Sequence, residues 1–147
     1  VHISGFSTNN VSVTPSNQST NVYVTDSDMK GSCGAAPNGI RVAPGVPLRA
    51  NVFVDGSSFT NLATALLVDA NGHAFVTGST FFNNSEGLST MNGGVIDGLG
   101  GNHFGGNAYN GAFNTGSRSA SRSAAARIGR RTGNRSTRWL TRAVRRV

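Results

Sequence analysis

The apolar positions of this chain fall in short alternating runs, and the runs repeat. Asn21-Val-Tyr-Val-Thr-Asp26 recurs as Asn51-Val-Phe-Val-Asp-Gly56, as His73-Ala-Phe-Val-Thr-Gly78 and, more loosely, as Gly93-Gly-Val-Ile-Asp-Gly98, while Val1-His-Ile-Ser-Gly5 fits the same frame. Aligned on Ile3, Val24, Val54, Val76 and Ile96, the units are spaced by 21, 30, 22 and 20 residues. The match runs past the first strand, because Ser57-Ser-Phe-Thr-Asn61 lines up with Ser79-Thr-Phe-Phe-Asn83. A second strand follows in each unit: Val11-Ser-Val13, Ile40-Arg-Val42, Leu66-Leu-Val68 and, poorly, Leu88-Ser-Thr90. The alternation has the period of two that a half-buried strand requires.

Strands this short bury little alone, so each unit must stack on the next, with equivalent side chains forming columns. That is a parallel β-helix. Val22, Val52 and Ala74, and then Val24, Val54 and Val76, should point into the coil, which turns the residues between them outward: Tyr23, Phe53, Phe75 and Val95, preceded by His2. The next outward column reads Thr25, Asp55, Thr77 and Asp97. The 30-residue unit carries an insertion, Lys30-Gly-Ser-Cys-Gly-Ala-Ala-Pro37, between its two strands.

Composition agrees with this pattern. Gly, Asn, Ser and Thr supply 66 of the 147 residues, a mixture suited to turns and strands rather than long helices. No apolar run approaches the ~18 residues of a membrane-spanning helix. The single cysteine, Cys33, excludes an internal disulfide framework. The formal charge of +7 divides unevenly: residues 1–116 hold three basic and six acidic side chains, whereas residues 117–147 hold ten Arg and no acid. The body is mildly acidic and the tail strongly basic. Val1 is read as an internal position of a longer or processed protein.

The N-V-x-V-x-G pattern, the apolar residue five positions on, the corner Asn and the second short strand together resemble the right-handed parallel β-helix repeats of the pectate-lyase-like superfamily. The stretch from Gly94 through Asn102 to Asn107 is similar to the last turn of small secreted bacterial β-helix proteins. The resemblance covers about residues 1–114 and implies an all-β, right-handed solenoid of four to five turns. Residues 115–147 then form an Arg-rich tail, either disordered or ending in a short amphipathic helix around Trp139. The resemblance also implies an extracellular or cell-surface location.

The outward aromatics Tyr23, Phe53 and Phe75 are candidates for contact with a polysaccharide or cell-surface glycan, because exposed apolar patches mark binding surfaces. The leading expectation is a non-catalytic, adhesin-like or carbohydrate-contacting module. The alternative is a fragment of a polysaccharide lyase or glycoside hydrolase using Asp55 and Asp97, which stacking would place about 9.6 Å apart, near the upper limit of an inverting pair. The sequence therefore leans away from an enzyme. Asp26-Ser-Asp28 offers two oxygens to Ca²⁺ but lacks the longer ladder of a calcium loop, and His2, His73 and His103 are too scattered for zinc, so no metal or cofactor is expected. The exposed solenoid ends suggest self-association. The tail suggests a non-native extension of the kind that GC-rich coding sequence gives when read out of frame, an arm that binds nucleic acid or anionic membrane non-specifically, or a helix docked over the aromatic column.

Overall fold

The computed structural model describes residues 1–4, 8–31 and 37–114. These form thirteen strands and no helix: β1 (His2–Ser4), β2 (Asn9–Val13), β3 (Thr20–Thr25), β4 (Asp28–Lys30), β5 (Asn38–Val42), β6 (Ala50–Asp55), β7 (Ser58–Thr60), β8 (Thr64–Val68), β9 (Gly72–Thr77), β10 (Thr80–Phe82), β11 (Glu86–Thr90), β12 (Val95–Gly100) and β13 (His103–Gly105). Every third strand joins the same sheet. The first sheet has the order β1-β4-β7-β10-β13, the second β11-β8-β5-β2 and the third β12-β9-β6-β3. All named pairings are parallel. The described chain is a parallel β-helix of four turns plus one strand, as the repeat predicts.

Three strands per turn is one more than the sequence pattern suggests. The extra strand is the segment around Phe59 and Phe81, which forms a sheet of its own. Its inward column is Ile3, Met29, Phe59, Phe81 and Phe104. Ile3 therefore belongs with Met29 and not with Val24. Phe59 and Phe81 are fully buried and stack at 5.0 Å, and Phe81 stacks on Phe104 at 4.9 Å. The second sheet keeps the expected register, with Val11, Ile40, Leu66 and Leu88 in one column.

Corners are made by a residue in the left-handed region, which Gly and Asn tolerate best. Between the third and first sheets these are Asp26, Gly56, Gly78 and Gly101; between the first and second they include Asn61, Asn83 and Gly106. The residue after each corner ties neighbouring turns together. Ser27 N–H donates to Ser57 Oγ, Ser57 N–H to Ser79 Oγ and Ser79 N–H to Asn102 Oδ1, at 3.2, 3.2 and 3.0 Å.

The long second turn has no single insertion. Connections 31–37 and 43–49 hold seven residues each, where the next turn uses 61–63 and 69–71, three each, so the excess is shared between two loops. Cys33 and the Arg-rich tail lie outside the described residues.

At the C-terminal end, residues 108–114 continue the coil over the last turn, Tyr109 bridging Glu86 in parallel. Gly87 N–H donates to Tyr109 O, Leu88 N–H to Asn110 O, and Asn114 closes on Ile96 in both directions, its N–H on Ile96 O and Ile96 N–H on its Oδ1, each at 2.7 Å. Phe113 packs over Gly98, where any side chain would meet its ring at under 3 Å. Gly98 thus stands in the column of Val24, Val54 and Val76 and leaves its space to Phe113.

Candidate functional site

The outer face of the third sheet concentrates the side chains that carry chemistry. In β3, β6 and β9 the inward positions alternate with outward ones, so burial of Val52, Val54, Ala74 and Val76 forces Phe53 and Phe75 to the other side. The register places Tyr23 on Phe53 and Phe53 on Phe75. Their ring centroids are 4.9 and 5.0 Å apart, with 11° between the planes in both pairs. Each ring therefore covers its neighbour's face, and the three make a ridge one ring wide. Tyr23 ends the ridge and is 68% exposed, whereas Phe53 and Phe75 are half-buried.

Polar columns flank this ridge. On one side stand Asn21, Asn51 and His73, with Asn51 Nδ2 donating to Asn21 Oδ1 at 2.9 Å. On the other stand Thr25, Asp55 and Thr77. The fourth turn differs from the sequence expectation. Asp97 pairs with Phe75, and Val95 with His73, so Asp97 continues the aromatic column and Val95 does not. His2 pairs with Asp28 in the first sheet and also lies outside that column.

This register separates Asp55 from Asp97. They differ by two turns and by one outward column, which puts their α-carbons roughly 12 Å apart on ideal strand spacings. The Asp97 carboxylate faces the other way: its Oδ2 meets His73 Nε2 at 2.7 Å, and His73 stacks on Phe75 with centroids 4.0 Å apart. The spacing that suggested an inverting pair, with carboxyl groups ~6.5–9.5 Å apart, is lost. The His73–Asp97 pair was not foreseen. Its signal was the His at the position that carries Asn in the two preceding repeats.

Asp28 of the Asp26-Ser-Asp28 segment is engaged elsewhere, with Oδ2 at 2.9 Å from His2 Nδ1. Among the described residues no three His, Cys, Asp or Glu side chains converge as a metal set. Compared with protein-family models, curated proteins and solved structures, the chain matches none.

Proposed function

We propose that this chain is a non-catalytic β-helix module of the pectate-lyase-like kind, extracellular or on a cell surface, that contacts an extended glycan along the outer face of its third sheet. The observation that carries the reading is the ridge of Tyr23, Phe53 and Phe75 with polar columns on both sides. A pyranose presents apolar C–H groups on its faces and hydroxyls around its rim. A chain of such rings laid along the ridge sets C–H groups on the aromatic edges and hydroxyls against Asn21 and Asn51 on one side and Thr25, Asp55 and Thr77 on the other. The ring spacing of about 5 Å is close to the length of one sugar in an extended polysaccharide. The stacked rings favour contact across their edges over flat stacking of a sugar on each face.

The reading as a lyase or hydrolase has no comparable support, since Asp55 and Asp97 do not share a column. A glycan array probed with the wild-type chain and with a Tyr23→Ala/Phe53→Ala/Phe75→Ala triple variant tests the proposal. Binding to at least one extended glycan is expected from the wild type, with a loss of tenfold or more in the triple variant, in keeping with the weight of aromatic anchors in interfaces. Binding that survives all three substitutions, in a variant with an unchanged strand spectrum, would place the site on another face.

A further inference from the structure

Resting on that glycan reading, we infer that the third sheet selects neutral glycans over acidic ones. Polysaccharides that carry carboxylates or sulfates are held by Arg or Lys forks or by bridging cations, because each charged group must be met as it leaves water. Strands β3, β6, β9 and β12 contain neither Lys nor Arg. The charged groups that face outward beside the ridge are instead Asp55 and Asp97.

His73 does not reverse this balance. Its Nε2 is 2.7 Å from Asp97 Oδ2, so any positive charge that the ring acquires is met by that carboxylate. Arg49 precedes β6 and stands two outward columns from the ridge, beyond Asn51, where its backbone N–H donates to Ser19 Oγ and its side chain is exposed. A uronate chain lying along the ridge would thus bring a row of carboxylates past Asp55 with no cation between them.

A neutral chain meets the same carboxylate differently. Ionised Asp55 is exposed and accepts hydrogen bonds through both oxygens, so it suits a pair of adjacent hydroxyls, and a charge-assisted bond is stronger than a neutral one. The amides of Asn21 and Asn51 add donors and acceptors on the opposite rim. Contact with only three rings also predicts that affinity rises with oligosaccharide length until the sugar spans Tyr23 to Phe75, and then levels off.

The test compares cellohexaose with hexagalacturonate by titration calorimetry, using the wild type and Asp55→Asn, at low and moderate salt, with circular dichroism to verify that both are folded. The wild type should bind cellohexaose at least about fivefold more tightly than hexagalacturonate. Asp55→Asn should weaken the neutral sugar several-fold and strengthen the acidic one, narrowing the ratio. Equal or tighter binding of hexagalacturonate by the wild type would overturn the inference and leave the glycan reading standing. Failure of a broad glycan panel, neutral and acidic, would remove the glycan reading itself.

Discussion

Asp69 illustrates how a single corner residue is held. The side-chain amide of Asn92, one turn on, donates to its Oδ1 at 2.8 Å, and Ala70 N–H donates to the same oxygen at 2.8 Å. These bonds keep the carboxyl below the ordinary aspartate value, with the Asn92 bond first and Ala70 second, against a small opposing effect of desolvation; the charge of Arg41 adds to the lowering. A carboxylate whose folded pKa is depressed stabilises the fold above its unfolded pKa, and that contribution fades as pH falls through the lowered folded value. The Asp69 carboxyl carbon, followed by NMR titration, should therefore show a midpoint below that of a free aspartate. In Asn92→Ala the midpoint should move up, and no movement would show that the amide is not its principal partner. Asn92-Gly93, in the equivalent corner one turn on, is a turn pair in the sequence, but its link to Asp69 depends on which turn lies beneath, and no local pattern shows that.

Among the elements, the same distinction separates what the sequence revealed from what it concealed. The second sheet is legible in its true register because Val11-Ser-Val13, Ile40-Arg-Val42 and Leu66-Leu-Val68 each return an apolar residue to the inward position two residues on. In the third sheet the repeat predicts the register of Tyr23, Phe53 and Phe75, and it differs from the structure by two positions at β12. The cause is physical. In β12 the pair Asp97-Gly98 mimics Asp55-Gly56, yet a bulge between Gly98 and Gly100 carries the strand further, so the true corner is Gly101. Gly98 itself answers to Phe113, and no local pattern announces a residue that packs from 15 positions away. The short first sheet was hidden because three-residue strands show almost no alternation. Its turns are joined by Asn84, which is 2% exposed: its Oδ1 accepts from Leu62 N–H at 3.0 Å and its Nδ2 donates to Phe59 O at 3.1 Å and Asn107 Oδ1 at 3.0 Å. Asn84→Ala leaves a buried N–H and a buried carbonyl without that partner, which should destabilise by about 2–4 kcal/mol in urea titrations at constant slope. A change below about 1 kcal/mol would mean that the amide does not join the turns.

Taken together, the described strands form a solenoid whose two ends differ. The C-terminal turn is closed by residues 108–114, with Phe113 set against Gly98 and Phe104. At the other end β1, β2 and β3 are the outermost strands, and Val11 and Val22 are only half-buried beside an open concavity of about 730 Å³. Along the side, the third sheet offers a face in which stacked rings and polar columns advance together by one strand spacing per turn. The glycan reading rests on that coincidence of periods, and it specifies where a ligand must lie. Proton–nitrogen correlation spectra recorded during titration with cellohexaose test it most directly. The expected result is a set of shifts centred on the side-chain amides of Asn21 and Asn51 and on the backbone of β3, β6 and β9. Shifts centred on β4, β7 and β10, or no shifts at millimolar sugar, would contradict it.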